Sequence, residues 1–352
     1  MDIVGSASTE LPHVAALIDD VLVPGAESVD DVGVQRVALD HLADAGLLGT
    51  PLTAHEQREL AELIARSDAS TWFCWTQHQT PLRVLSDSTR PEAEALRAEL
   101  LPGLESGELL AGVAHAHLRR AGSPNPRAER VEDGWLINGA LDWVTSWDIA
   151  DVVMVMVESG DSVLCFFITA GEVPSAIPGV VVGEPLRLLA MGGTHTRPLE
   201  FRQAHIRDEQ VVAVLDLAEW QAADSLKTAN SNPAIFGIAR GAISELDDLA
   251  RSRDDSTMRA LTNSLAGQCT DIRGRAYAAQ DSAASVETRL AIRAEALDHL
   301  MRCCIAVVIA RSGSAMIRSN PAERRVREAL FMQVQAQTAA TREAMLMRAL
   351  DR

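Results

Sequence analysis

The sequence predicts an α+β protein that is mainly α, with an N-terminal helical domain over residues 1–110, a central β-barrel-like domain over 111–215 and a C-terminal four-helix bundle over 216–352. Two observations predict this division. Ala, Leu and Arg recur at helical spacing in both outer parts, while β-branched runs and turn dipeptides are concentrated in the middle. A chain of 352 residues is also too long for one undivided core, so we expect separate packed units.

The N-terminal part carries the apolar spacing of several helices joined by short loops. Asp68 precedes a strongly apolar stretch that contains Trp72, Trp75 and His78. Because a short acceptor side chain satisfies free backbone N–H groups at the start of a helix, we predict that Asp68 caps an internal helix.

The central part contains two dipeptides suited to tight hairpin turns, Asp133-Gly134 and Asn138-Gly139, because these residues tolerate positive φ. The strand-length segments around them predict a β meander. Further strands are expected at DVVMVMVE, SVLCFFITA, GVVVGEP and THTRPLEFRQAHI, so the sheet should end near Val212.

Helical spacing returns after Asp216 and continues to the end of the chain. Breaks at SRDDS, DSAAS and SNPAE separate long helices that are expected to pack antiparallel. One predicted helix carries a continuous apolar stripe made of Leu290, Ala294, Leu297, Met301, Ile305 and Val308.

The formal net charge is −17, with 49 acidic and 32 basic residues, which argues against a nucleic-acid partner. The five cysteines form neither a CxxC pair nor an even disulfide framework, so reduced thiols are expected. The N-terminus lacks the pattern of a signal peptide, and the longest apolar run, Cys303 to Ala310, is less than half of the roughly 20 residues that cross a bilayer. We therefore expect a cytoplasmic protein with no membrane partner.

Several common signatures are missing from the sequence: a GxGxxG turn after a strand, a GxxxxGK[ST] phosphate loop, a GxSxG elbow and an HExxH pair. Nucleoside-triphosphate and serine-hydrolase chemistry therefore have no support. His115 and His117 in GVAHAHL would share one side of a strand, but no third ligand stands nearby, so no metal site is expected.

DWVTS, from Asp142 to Ser146, follows the predicted hairpins and lies in the β domain between the two helical parts. In this the chain resembles the acyl-CoA dehydrogenases, whose equivalent stretch has the form W-I-T-N/S and places its Trp and Thr against the flavin ring of FAD. The resemblance implies that Trp143, Val144, Thr145 and Ser146 contact FAD. A flavin needs a flat apolar cover and a few polar groups aimed at its ring, which Trp and Thr supply. The alternative from the residues alone is a core tryptophan and an ordinary strand threonine.

Two further segments resemble the same family. NPAERRVREALFMQVQAQT is similar to the final helices, of the form P-x-E-x-x-x-R-D-A-x-x-x-x-I-x-E-G-T, and the resemblance implies that Thr338 approaches FAD. MGGTHTRPLEFRQAHIRDEQVV resembles the exit from the β domain, where Phe201 and Ile206 fit and Arg207 stands in the place of the usual Pro. Together the resemblances cover about residues 40–350.

The family's catalytic base is missing from this chain. The Glu that removes the α-proton of the acyl thioester corresponds to Ala336, and Gln337 replaces the Gly that follows. Some members carry the Glu on the first bundle helix, a position that falls near Lys227. Since Ala cannot accept a proton, ordinary acyl-CoA dehydrogenation would need a different base.

The segments that hold the far end of FAD also differ. The glycine-rich turn reads SGSA from Ser312 to Ala315, and the Arg-x-x-Phe contact is not clear in ARSRDDST, so the adenine end would be held differently or more weakly. The threonine of the family's T-E-P turn is replaced near His115, with two extra residues before Ala121-Gly122-Ser123.

Two histidines are the candidate catalytic residues. His115 beside a flavin could donate or accept a proton near neutral pH; its alternation with Ala equally fits a strand whose polar face meets water. His78 could line the substrate cavity, or could be a buried histidine satisfied by a helix carbonyl.

The resemblance implies three functions. The first is an FAD-dependent oxidoreductase acting on the CH-CH group of an acyl thioester or a related small molecule with a non-standard base. The second is a flavin-dependent monooxygenase of the same fold, with FMN possible instead of FAD. The third is a catalytically degenerate homologue that acts as a subunit. In each case a homodimer or homotetramer is expected.

Overall fold

The computed structural model describes residues 11–49, 52–119, 125–318 and 320–350. The first ten residues lie outside these ranges, as does the segment that holds Ala121, Gly122 and Ser123. Six helices form the described part of the N-terminal region: α1 Pro12–Val21, α2 Val29–Val32, α3 Arg36–Asp44, α4 Ala54–Ser67, α5 Ala69–Ser86 and α6 Glu94–Ser106.

Side-chain caps fix the starts of α4 and α5. Thr53 and Glu56 form a capping box at α4, in which each side chain accepts from the other residue's backbone N–H. Asp68 Oδ1 accepts from the backbone N–H of Thr71 at 2.6 Å, which confirms the predicted cap of α5. The two tryptophans of α5, Trp72 and Trp75, are buried in the core as expected.

Eight strands form one mixed sheet in the middle of the chain, in the order β6-β7-β3-β2-β4-β5-β8, with β1 paired in parallel to β4. The rings of Phe166 on β5 and Phe201 on β7 are 6.5 Å apart although three strands separate β5 from β7 in that order. The sheet is therefore strongly curved around an apolar interior. The strands are β1 Ala111–Ala114, β2 Arg127–Val131, β3 Gly134–Val144, β4 Val152–Ser159, β5 Ser162–Thr169, β6 Val180–Val182, β7 Arg197–Arg207 and β8 Val211–Asp216.

One of the two predicted turns is right and the other is wrong. A two-residue turn, Glu132-Asp133, joins β2 to β3 in a tight hairpin, so the predicted hairpin is confirmed with Gly134 as the first residue of β3. At Asn138-Gly139, however, β3 continues through a bulge against β7. Asn138 Oδ1 accepts from the backbone N–H of Gln203 on β7 at 2.8 Å, so its acceptor holds the neighbouring strand instead of closing a turn.

The predicted meander is also wrong. In a meander, each strand pairs with the strand that follows it in the sequence. Here β4 pairs in parallel with both β1 and β2. The sheet extends past the expected end near Val212, because β8 runs to Asp216 and pairs with β5.

The C-terminal region is helical: α7 Leu217–Ala229, α8 Pro233–Ser252, α9 Ser256–Asp281, α10 Val286–Arg311, α11 Pro321–Val334 and α12 Ala339–Leu350. Three of the five breaks between these helices fall at the predicted segments, and the breaks after α7 and after α11 were not predicted. One apolar core is common to the bundle and the N-terminal helices. The predicted stripe on α10 is only partly buried, because Ile305 is 46% exposed while Leu297 is 1% exposed.

No single helix of the described residues is long and apolar enough to cross a membrane; one bent pair, Val286–Met316 with Pro321–Val334, meets the length and composition requirements together. Within the described ranges, no three His, Cys, Asp or Glu side chains are grouped as metal ligands.

Candidate functional site

The DWVTS stretch begins on β3 and leaves the sheet after Val144. Trp143 is 44% exposed, whereas Val144, Thr145 and Ser146 are buried. Trp143 is therefore not part of the sheet core, and Thr145 is not an ordinary strand residue. The indole offers a flat apolar surface at the edge of the β domain, beside buried hydroxyl groups.

The Thr145 hydroxyl belongs to a chain of threonines. Its Oγ1 lies 3.3 Å from Thr196 Oγ1, which lies 2.8 Å from Thr194 Oγ1. Thr194 Oγ1 donates to the carbonyl oxygen of Met191 at 2.8 Å, so its single proton is committed. Thr196 Oγ1 therefore donates to Thr194 Oγ1, and Thr145 Oγ1 donates to Thr196 Oγ1. The lone pairs of Thr145 Oγ1 are left to accept a hydrogen bond from another group.

Ser146 and Trp147 turn the chain away from the sheet. Ser146 has a left-handed φ of 68°, held by its backbone N–H, which donates to Thr194 O at 2.9 Å. Ser146 Oγ and Trp147 Nε1 are both buried. Trp147 Nε1 has no hydrogen-bond partner in the described structure, whereas the Ser146 hydroxyl lies against the Cys74 thiol. Such unsatisfied groups cost free energy, and they are found where a ligand or water completes the bonding.

An interior cavity of about 10 Å³ lies behind Ser146, with Cys74, His78, Ala111 and Ile149 among the residues that line it. This volume holds about one water molecule. Burial raises the pKa of the Cys74 thiol to about 12, so the thiol stays protonated.

His78 is a structural histidine in this fold. Its Nε2 lies 2.9 Å from the carbonyl oxygen of Leu104 on α6, and its Nδ1 accepts from the backbone N–H of Ala111 at 3.1 Å. Both ring nitrogens are therefore used in joining α5 to α6 and β1. Burial lowers the pKa of His78 to about 4, so the ring is neutral.

His115 and His117 do not lie on a strand, which corrects the expected alternation. Strand β1 ends at Ala114, His115 follows it, and His117 is buried in a 3-10 helix over Ala116–Arg119. The expected water-facing polar strand is therefore wrong at this point. Arg119, the last residue of this 3-10 helix, is anchored on the bundle.

Arg119 makes a two-bond ion pair across the domain boundary. Its Nε donates to Asp224 Oδ2 at 2.7 Å and its Nη2 to Asp224 Oδ1 at 2.6 Å. Arg119 Nη2 also lies 3.3 Å from His115 Nε2, and the His115 ring meets Trp220 edge-on at 6.4 Å between centroids. Asp224 and Trp220 are both on α7, so this helix fixes the position of His115.

The bundle side of the site is the turn between α11 and α12. Arg293 on α10 donates to the carbonyl oxygens of Thr228 and Gln335, the latter at 2.7 Å, and so ties the end of α7 to this turn. Ala336, which follows, has a left-handed φ of 49°. Thr338 Oγ1 accepts from the backbone N–H of Thr341 at 3.2 Å, so Thr338 caps α12.

The structure does not join Thr338 to DWVTS directly, since every hydrogen bond given for Thr338 lies within its own turn. It does bring together the two segments compared with the family's adenine contacts. Arg253 Nη1, after α8, donates to the carbonyl oxygen of Ala310 at the end of α10 at 2.7 Å, next to the 3-10 helix Ser312–Met316. Neither ARSRDDST nor SGSA predicts this contact from the sequence.

No protein-family model matches the chain. Among curated proteins, the chain is 26% identical to isovaleryl-CoA dehydrogenase of Oryza sativa subsp. japonica over 43% of this chain and 37% of that enzyme. It is 28% identical to 2-methylacyl-CoA dehydrogenase of Solanum tuberosum over 33% of this chain and 29% of that enzyme. The matches thus span about a third of these two relatives. With the probable acyl-CoA dehydrogenase FadE25 of Mycobacterium tuberculosis, 25% identity covers 74% of this chain and 72% of that protein.

Solved structures match over nearly the whole chain. A glutaryl-coenzyme A dehydrogenase in complex with glutaryl-CoA superposes with a TM-score of 0.77 at 18% identity, covering 98% of this chain and 96% of that one. Butyryl-CoA dehydrogenase from Megasphaera elsdenii gives 0.75 at 16% identity, covering 98% and 99%. The chain therefore has the acyl-CoA dehydrogenase fold. The sequence relatives above are acyl-CoA dehydrogenases too, so the chain is similar to this family in sequence as well as in fold.

Proposed function

We propose that this protein is an FAD-dependent oxidoreductase of the acyl-CoA dehydrogenase type. The observation that carries the proposal is the exposed indole of Trp143 beside the buried hydroxyl chain that ends at Thr145. A solved neighbour, a glutaryl-CoA dehydrogenase from Mycobacterium smegmatis described in complex with FADH2, has a TM-score of 0.78 at 13% identity over 98% of this chain and 95% of its own. An acyl thioester is the proposed substrate class.

The residues present fit a flavin. Trp143 would cover one face of the ring, and Thr145 would accept a hydrogen bond. The unpartnered indole N–H of Trp147 lies two residues after Thr145. Thr338 would approach from the bundle side, where its hydroxyl already caps α12. When bound, FAD would accept a hydride from a carbon atom of the substrate.

His115 is proposed as a hydrogen-bond donor and not as the missing base. Its Nε2 faces an Arg119 N–H, which can only donate, so Nε2 holds the lone pair and Nδ1 holds the proton. His115 Nδ1 is buried and has no acceptor among the described residues. A neutral N–H donor of this kind can hold a substrate carbonyl or a ring oxygen but cannot take up a second proton readily.

The visible spectrum of the purified protein tests the cofactor. We expect a bound flavin spectrum, or its appearance after incubation with FAD, and bleaching by an acyl-CoA in the absence of oxygen. Trp143→Ala should reduce FAD affinity, whereas Trp135→Ala, at the other end of the same strand, should leave it unchanged. A protein that stays colourless with excess FAD would rule the proposal out.

A flavin-dependent monooxygenase of the same fold, using FAD or FMN, is the second candidate. Ala336 favours it, because neither that position nor Lys227 supplies a carboxylate to remove a proton from carbon. Oxygen consumption that matches product formation, given reduced flavin, is the expected result. Peroxide release without product would exclude this candidate. A colourless protein would instead favour the third reading, a degenerate homologue that acts as a subunit.

We also propose that the chain forms a homodimer or homotetramer through its C-terminal helices. Large apolar side chains are exposed there, among them Ile309 at 72%, Met316 at 71% and Leu350 at 79%. A surface of this kind is typical of subunit contacts. Sedimentation equilibrium should give a mass of two or four chains, and a monomer at micromolar concentration would contradict it.

A further inference from the structure

The interior cavity behind Ser146, called the Ser146 cavity below, lies where α3, α5, β1 and the segment after β3 meet. Its volume is about 10 Å³. Among the described residues that line it, none is Asp, Glu, Lys or Arg, so a charged guest has no counter-ion there. Most of the lining is aliphatic and comes from Leu39, Leu48, Leu110, Ala111, Ile149 and Ala150.

The three polar side chains of the lining are largely bonded within the protein. Both ring nitrogens of His78 are used in joining α5 to α6 and β1. Cys74 Sγ donates to the carbonyl oxygen of Thr194 at 3.9 Å, and the Ser146 hydroxyl lies against the Cys74 thiol. Among these side chains, only the lone pairs of the Ser146 hydroxyl are left for a molecule in the cavity.

The polarity of the lining decides which small molecule the Ser146 cavity holds. A buried water typically makes about three hydrogen bonds to polar groups, and the side chains here offer one. An aliphatic cavity favours an apolar guest, because apolar molecules leave water readily and need no hydrogen bonds. A neutral diatomic gas meets both the size and the chemistry of this cavity.

The Ser146 cavity lies directly behind the wall of the proposed cofactor site. Ser146 is the last residue of DWVTS, and its carbonyl oxygen accepts from the backbone N–H groups of Ile149 at 3.1 Å and Ala150 at 2.8 Å. These two bonds hold part of the cavity lining against the end of DWVTS. The cavity is therefore one residue along the chain from Thr145, whose hydroxyl is proposed to bond the flavin.

We propose that the Ser146 cavity is a binding site for dioxygen. Its role beside a flavin rests on the proposed function; the gas site itself does not. Oxygen next to the reduced cofactor would take two electrons and two protons from it, which leaves oxidised flavin and hydrogen peroxide. The protein would then be an oxidase, whose flavin is reoxidised by oxygen and not by an electron-accepting protein.

The paramagnetism of oxygen gives a direct measurement on the protein as purified. Methyl groups of Ile, Leu and Ala are labelled with 13C, and their proton relaxation is compared under oxygen and under nitrogen at the same pressure. We expect the enhancement by oxygen to be several-fold greater at the Ile149, Ala111 and Ala150 methyl groups than at Ile64, which is fully buried in α4. Nitrogen is diamagnetic, so the comparison removes the effect of pressure.

Variants that fill and enlarge the cavity should act in opposite directions. Ala111→Val adds two methyl groups to the lining at a strand position that suits a β-branched residue, so the enhancement at Ile149 should fall to that of Ile64. Ala114→Val adds the same groups at the other end of β1, outside the lining, and should leave the enhancement unchanged. Ile149→Val removes a methylene group from the lining and should raise the enhancement at Ala111, which tests the site even if Ala111→Val does not fold.

The gas site is overturned if Ile149 and Ile64 are enhanced equally, or if Ala111→Val and Ala114→Val behave alike. A nuclear Overhauser effect from water to the Ala111 methyl group, in place of an oxygen enhancement, would show that water fills the cavity and would also overturn it.

The role of the site is tested by stopped-flow reoxidation of the reduced flavin. Ala111→Val should react with oxygen several-fold more slowly than Ala114→Val, and equal rates would overturn the oxidase role. The visible spectrum of the same samples is read separately. A yellow protein without the oxygen enhancement overturns only the gas site, and a colourless protein with it overturns only the flavin proposal.

Discussion

Charged side chains are buried or half-buried at two boundaries of this protein, and they are paired differently. Between α4 and the bundle, Glu62 is fully buried and accepts from Arg240 at 2.8 Å, from Arg273 at 2.6 Å and from the Tyr277 hydroxyl. Glu59 accepts from Arg273 at 2.7 Å. Two acids thus meet two arginines, and the charges balance.

Between the β domain and α7, one acid meets several cations. Asp224 pairs with Arg119, and its charge also acts on Lys227, which makes no hydrogen bond in the described structure. His115 keeps an unpaired N–H. A balanced network holds two parts of a fold together, whereas an unbalanced one with unsatisfied donors indicates a ligand. The difference separates structural charge from functional charge in this molecule.

Breaking the balanced network should have the largest effect. Glu62→Gln removes the fully buried acid of this network and leaves Arg240 and Arg273 with Glu59 alone, so it should lower the free energy of unfolding by about 3 to 5 kcal/mol. Urea denaturation followed by far-UV circular dichroism measures it. Glu295→Gln, which removes a more exposed partner of Arg275, is the control and should cost less than about 1 kcal/mol. A loss below 1 kcal/mol for Glu62→Gln would mean that the network does not stabilise the fold.

The comparison extends to the histidines, because His78 is fully bonded and His115 is not. The pKa of His78 is about 4 in the folded protein, against about 6.5 in an unfolded chain. Below pH 6.5 the unfolded state binds a proton that folded His78 does not bind until about pH 4. The contribution of His78 to the free energy of unfolding is therefore complete above pH 6.5, and it falls by roughly 3 kcal/mol as the pH drops to 4.

Urea unfolding at a series of pH values between 7 and 4 checks this prediction. His78→Asn keeps a donor and an acceptor but cannot be protonated in this range, so its stability should fall less steeply with pH. If the variant and the natural chain lose stability in parallel, the proton uptake belongs to other groups.

The smallest stability effect is expected in the unbalanced cluster. Lys227→Gln removes a cation that has no described partner, so the free energy of unfolding should change by no more than about 0.5 kcal/mol. The same denaturation experiment measures it. A large destabilisation would show that Lys227 is structural and would remove the contrast between the two clusters.

Features set by neighbouring residues could be predicted from the sequence. Asp68 caps α5 because its acceptor needs only the N–H three residues later. The hairpin between β2 and β3 is likewise set locally, because its two-residue turn ends at Asp133 and Gly134 begins the next strand. The form of DWVTS was sufficient to indicate the fold, although only the structure shows that Trp143 is exposed and that the Thr145 hydroxyl is the end of a chain.

The sequence by itself determined the order of the three parts: helices, then a β domain, then helices again. It also determined which segments resemble those that face a flavin in related proteins. The tertiary structure decided the roles of Asn138, His78 and His115. Their partners are Gln203, Leu104 and Arg119, and for the first two the partner is far away in sequence, so no local pattern specifies it. The pairing of Arg119 with Asp224 likewise exists only because folding brings the turn after β1 and α7 to one place. Hydrogen bonding and charge pairing depend on distance in space, and the sequence records only distance along the chain.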